Sequence, residues 1–189
     1  ITSQMGHLRT KLGITTVPQG GGVFRQLSVE ENLLMGAYLV RDRREVARRK
    51  EWVLNQFPDL GDRLRQPAGT LSGGQQMLLS LARALMQKPK VLLLDEPSAG
   101  LAPALVADVF GVIRVLAESG IPIVLVEQNV RHALRISDRV YILVQGEVRF
   151  AGRPEELASH GELMKLYLGI NETSVTRARS PSGISPRTL

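Results

Sequence analysis

Val91-Leu92-Leu93-Leu94-Asp95-Glu96 is a run of four apolar residues ending in two carboxylates. A continuous apolar run reads as a strand buried on both faces of a parallel sheet. Ligands bind at the carboxyl ends of such strands. One carboxylate there can hold a hydrated Mg²⁺, which usually takes one or two carboxylates plus phosphate oxygens. The adjacent one can orient or deprotonate an attacking water. Ahead of this run lies Leu71-Ser72-Gly73-Gly74-Gln75. Ser72 and Gln75 have the spacing of a capping box, and Gly73-Gly74 let the backbone come close to a ligand. A helix start with free N–H groups attracts phosphate. Each stretch alone also has a plain structural reading, as an acidic turn and as a capped helix. Together, in this order and with a helix between them, they point to nucleotide chemistry.

The rest of the chain supports a strand–helix alternation. Residues 14–17 read as a short β-branched strand, stopped by Pro18 and the run Gly20-Gly21-Gly22. Ser28 caps an amphipathic helix carrying Leu33, Leu34, Ala37 and Tyr38. A charged helix follows over 43–56 and ends before Pro58. Residues 59–70 read as a loop, and 72–87 as a third helix. After the strand at 91–94 come a helix at 103–118, a strand at 121–126, a helix at 130–137 and a strand at 140–144. Gln145-Gly146 turns the chain into a hairpin partner at 147–151. Short helices are expected at 154–159 and 161–168. This pattern predicts an α/β domain over 1–170, mostly parallel, with helices on both faces of the sheet. The nearly all-helical block at about 20–88 stands apart as a subdomain. Residues 171–189, rich in Ser, Thr, Arg and Pro, predict a disordered tail.

Composition narrows the function. The 189 residues suffice for one domain with a sizeable core. Apolar residues at 43% and charged residues at 22% suit an ordinary globular chain. No apolar run approaches the roughly 18 residues of a membrane-spanning helix. The absence of cysteine excludes disulfides, thiolate zinc sites and a cysteine nucleophile. His7, His132 and His160 have no close spacing, so no structural metal site is expected. The net charge is +6, and basic residues cluster between Arg41 and Lys50. That run reads as a solvated helix face. Aromatics at 4% do not interleave with it, so a nucleic-acid stacking platform is disfavoured.

Leu-Ser-Gly-Gly-Gln at 71–75 resembles the signature motif of the ATP-binding-cassette (ABC) family, and Val-Leu-Leu-Leu-Asp-Glu-Pro-Ser at 91–98 resembles its Walker B strand. Ser98-Ala99-Gly100-Leu101 is similar to the D-loop, and Gln19 stands where the Q-loop glutamine would. The resemblance covers roughly residues 6–169. It implies a P-loop NTPase fold of the ABC ATPase type with ATP and Mg²⁺ as cofactors. Asp95, with Gln19, would hold Mg²⁺, and Glu96 would be the general base. Leu71, Ser72, Gly73, Gly74 and Gln75 would cap the γ-phosphate in the partner of a head-to-tail dimer. Ser98 and Gly100 would line that interface. Gln128 takes the place of the family's switch histidine; it can hydrogen-bond a phosphate but carries no charge.

Val-Glu-Gln-Asn at 126–129, Ser-Ala-Gly-Leu-Ala-Pro at 98–103 and Val-Pro-Gln-Gly at 17–20 resemble importers of branched-chain amino acids and related amides. So do Val23-Phe24 and the run from Leu27 to Leu33. The resemblance implies an ATPase subunit peripheral to the cytoplasmic face of the inner membrane. It would pair with a second ATPase subunit and dock on membrane permeases, with no nucleic acid as partner. No glycine is followed by lysine, so the family's Gly-x-x-x-x-Gly-Lys-Ser/Thr phosphate loop is absent from these residues. A missing N-terminal part is the expected reason. The chain alone is then expected to be inactive. A degenerate, non-hydrolysing subunit and a soluble ABC ATPase of DNA repair or translation are the alternatives.

Overall fold

The computed structural model describes residues 5–158 and divides the chain into two compact units, one ending at Gln128 and one beginning at Asn129. The first is built on a three-stranded parallel sheet in the order β1 (Ile14–Val17), β2 (Val91–Asp95), β3 (Ile123–Val126). Val17 is level with Leu94, and Asp95 with Val126. The three strands therefore end together, which sets Gln19, Glu96 and Gln128 at one edge.

The connection from β1 to β2 holds α2 (Val29–Gly36), α3 (Arg43–Gln56), α4 (Pro58–Gly61) and α5 (Gly73–Leu85); that from β2 to β3 holds α6 (Pro103–Glu118). Both Ser28 and Ser72 form complete capping boxes, with Glu31 and Gln75 as the reciprocal partners. The Ser28 hydroxyl and amide hold the Glu31 carboxyl below its ordinary value. Helix α6 buries Val106, Val109, Phe110, Ile113 and Leu116, a stripe of helical spacing, and packs against α5. Helix α5 buries Met77, Leu79, Leu81, Ala82 and Leu85, and touches α2, α6 and β1. It is the central post of this unit. On α3, Arg48 and Arg49 pair with Glu45, and Lys50 reaches Glu30 at 2.6 Å. Arg41, Arg43 and Arg44 are exposed, as a solvated face requires.

Three differences from the sequence reading have physical causes. The sheet was expected to be covered on both faces, yet among the described residues only one is. Thr15, Val17, Leu92 and Leu94 are buried, whereas Val124 and Val126 on the alternate face are 54% and 56% exposed. Apolar composition marks a strand but does not say what covers each face. The expected loop at 59–70 contains α4 and a 3₁₀ turn, Ala68–Thr70. Pro58 starts that helix at N1 rather than ending structure, because its missing N–H is an orphan there anyway. A further helix, α1 (Gly6–Lys11), precedes β1 and was not foreseen.

The second unit holds α7 (Val130–Ile136), an antiparallel hairpin of β4 (Val140–Val144) and β5 (Glu147–Gly152), and α8 (Pro154–Ala158). Gln145 and Gly146 both have positive φ, 51° and 81°, the backbone of a two-residue hairpin turn. Leu134, Ile142, Phe150 and Leu157 form its core. The expected helix at 161–168, His160 and the tail at 171–189 lie outside the described residues.

Asn32 fixes the entry to α2. It is fully buried. Its amide oxygen accepts from the Phe24 N–H at 2.9 Å, and its nitrogen donates to the carbonyls of Phe24, Leu27 and Ser28. Asn32→Leu is expected to destabilise the protein by about 1–3 kcal/mol for each backbone group left unpaired. Urea unfolding measures it; a midpoint unchanged from the parent would refute the role.

Candidate functional site

The site is centred on Glu96. It follows β2 with φ of 46°, a left-handed conformation that costs a residue with a Cβ about 1–2 kcal/mol. Such an outlier marks a place where the surroundings over-determine the backbone. Here the Glu96 N–H bonds the Val126 carbonyl at 2.8 Å, and the Glu96 carbonyl accepts from the Ala99 N–H at 3.0 Å. The turn aims the carboxylate between the two flanking strand ends. Gln19 Nε2 donates to one oxygen at 3.0 Å, and Gln128 Nε2 donates to the other at 2.6 Å. Three of the residues singled out in the sequence thus meet in one cluster. Asp95 beside it is exposed.

Glu127 was not singled out, yet it braces this edge. Its carboxylate accepts from the Ser98 N–H at 3.3 Å and from the Gln128 N–H at 2.9 Å. The sign was available: an acid just past an apolar strand, as at Asp95-Glu96. Ser98 is buried, and Gly100 is exposed with φ of 73°.

The start of α5 is a separate feature. Ser72 and Gly73 are exposed, while Leu71 and Gly74 are buried. A Cβ on Gly74 would stand 3.0 Å from Leu105 Cδ1, so this glycine admits the Leu105 side chain of α6. Gln75 is engaged, accepting from the Ser72 N–H through Oε1 at 3.0 Å. No hydrogen bond among the described residues joins 71–75 to Gln19, Glu96 or Gln128; a Cβ on Gly73 or Gly74 would face Leu101 or Leu105.

The donor set suits a hydrated Mg²⁺. Asp95 offers an exposed carboxylate, and Gln19, whose nitrogen faces Glu96, keeps its amide oxygen available.

Acid residues at the carboxyl ends of parallel strands stand where proteins of the α/β class bind their ligands. The chain belongs to the ABC transporter family, whose pattern it matches over residues 2–99. It is 46% identical over 171 residues to a probable branched-chain amino acid transport ATP-binding protein, LivF, of Archaeoglobus fulgidus, covering 90% of this chain and 72% of the relative. It is 44% identical over 156 residues to the high-affinity branched-chain amino acid transport ATP-binding protein BraG of Pseudomonas aeruginosa, covering 82% and 66%. A 36% identity over 165 residues links it to the lipopolysaccharide export system ATP-binding protein LptB of Escherichia coli, over 86% and 68%. Among solved structures, an ATP-binding cassette of an ABC transporter in its ADP conformation superposes with a TM-score of 0.76 at 28% identity, over 89% of this chain and 73% of that one. The fold is therefore that of an ABC ATPase cassette.

Proposed function

We propose that this chain is the ATP-hydrolysing subunit of an importer for branched-chain amino acids or related amides. The observation that carries the hydrolytic part is the Glu96 carboxylate held between Gln19 and Gln128. An anchored carboxylate at the end of a buried strand can accept the proton of an attacking water. Its two amide partners fix its direction and supply no competing charge. Asp95 and Gln19 would hold Mg²⁺, which would supply charge neutralisation at the nucleotide's phosphates. The exposed Ser72 and Gly73, with Gly74 and Gln75 behind them, serve a nucleotide on a second ATPase subunit across a head-to-tail dimer, and Ser98 and Gly100 follow that interface. The subunit works on the cytoplasmic face of the membrane, bound to permease subunits. The import reading rests on the relatives LivF and BraG; LptB, named for export, is the less similar of the three.

No glycine in these residues is followed by lysine, so the family's phosphate loop is not among them. The 189-residue chain is expected to bind ATP more weakly than about 1 mM, a free energy of only about −4 kcal/mol. The same chain behind an upstream segment with a Gly-x-x-x-x-Gly-Lys-Ser/Thr loop is expected to hydrolyse ATP. Calorimetry with the short chain decides the first point, and micromolar affinity would overturn it. Leucine uptake in Pseudomonas lacking BraG, supplied with the extended chain, tests the solute. Rescue of an Escherichia coli strain lacking LptB without rescue of leucine uptake would assign export instead.

A further inference from the structure

The run Gly20-Gly21-Gly22 is unexplained by the site alone. All three residues are left-handed, with φ of 73°, 75° and 58°. Only glycine takes three such steps in succession without strain. The result is a tight turn laid against α5, so close that a Cβ on Gly21 would stand 3.2 Å from Ser80 Cβ. Two side chains of α5 receive it. The Ser80 hydroxyl donates to the Gly21 carbonyl, and Ser80 itself is buried. Arg83 donates from Nη1 to the Gly22 carbonyl at 2.9 Å and from Nη2 to the Gly21 carbonyl at 3.3 Å, with its guanidinium 5.1 Å from the Phe24 ring centre.

Among the described residues, no carboxylate pairs with Arg83. Burial lowers its pKa from the ordinary value, a sign that the charge is partly desolvated. A desolvated charge without a counter-ion is a poor way to stabilise a helix face, where an apolar side chain of similar volume would serve. The partners of its guanidinium among the described residues lie between 21 and 24, the segment that follows Gln19. Its backbone is equally fixed, since Gly36 of α2 packs directly on the Arg83 carbonyl.

We propose that Arg83, with Ser80, is a positioning residue that clamps the glycine turn and thereby holds the Gln19 amide on Glu96. The guanidinium fork matches two successive carbonyls, which the single ammonium of lysine cannot do with the same geometry. This inference rests on the reading of Glu96 as the hydrolytic carboxylate.

The test has two arms. In the 189-residue chain labelled with ¹⁵N, the Gln19 side-chain amide signal, assigned with Gln19→Ala, reports the bond to Glu96. Arg83→Met is expected to shift it to the position of a solvated amide, and Arg83→Lys to recover it only in part. In the extended, ATP-hydrolysing chain, Arg83→Met is expected to lower kcat about tenfold with little change in KM, as a small misplacement of an orienting group does. Combined with Gln19→Ala it is expected to add nothing further, because both changes remove one interaction. An unshifted Gln19 signal, or losses that add in the double variant, would overturn the clamp. Should Arg83→Met not fold, Ser80→Ala takes its place in both arms, and the same results support or overturn the clamp. Full turnover by Gln19→Ala and Glu96→Gln would instead sink the hydrolytic reading, and the amide signal would still decide whether Arg83 places Gln19.

Discussion

Glu96→Gln, in the chain extended by a phosphate loop, is expected to lower ATP turnover by about 10²–10⁴-fold, the range a positioned general base contributes, while ATP binding persists. The geometry makes the loss more than a matter of charge. Glu96 now accepts from two amide nitrogens, one from Gln19 and one from Gln128. An amide at position 96 has a single acceptor oxygen, and its own NH₂ would face one of those donors. One of the two bonds must therefore break or its partner must rotate. The variant loses the carboxylate and misaligns one of its two amide partners, Gln19 or Gln128. Steady-state phosphate release and binding of a fluorescent nucleotide analogue measure the two halves. Turnover within a factor of about three of the parent would sink the general-base role.

Gly36→Ala should be the most damaging small change to stability. A Cβ there would fall on the Arg83 carbonyl oxygen and stand 3.0 Å from both the carbonyl carbon and Cγ. These are mostly backbone atoms of a buried helix, so α2 and α5 must separate rather than a side chain swing aside. A loss of about 3 kcal/mol, the upper end of ordinary overpacking, is expected. Gly111→Ala in α6 is the control, since Gly111 is exposed and has open space around it. Removing that helix-interior glycine should stabilise by about 0.5–1 kcal/mol. Equal unfolding midpoints for the two variants would refute the tight α2–α5 contact at Gly36.

Much of this architecture was legible because it is local. The capping boxes at Ser28 and Ser72 need only a serine and its partner three residues on. Strand β1, helices α3 and α6 and the Gln145-Gly146 turn follow from periodicity and turn chemistry. Gln19, Glu96 and Gln128 were legible through the family resemblance, whose motif positions they occupy just after three strands. What stayed hidden depends on contacts between distant residues. The packing of Leu105 against Gly74 carries no mark in the local sequence. Gly36 and Arg83 are helical residues of ordinary type until α2 meets α5. The exposure of Val124 and Val126 carries no mark in four consecutive apolar residues.

Ser72 and Arg83 sit on one uninterrupted helix, roughly 16 Å apart at 1.5 Å per residue. A short α-helix bends little, so the two ends of α5 would move together. Force applied at the exposed serine end arrives at the arginine end as displacement. If a neighbouring subunit's phosphate pulls on the first turn, the glycine turn and its glutamine must travel with the far end. Readiness for hydrolysis on one side of the molecule would then be set mechanically by what is grasped at the other.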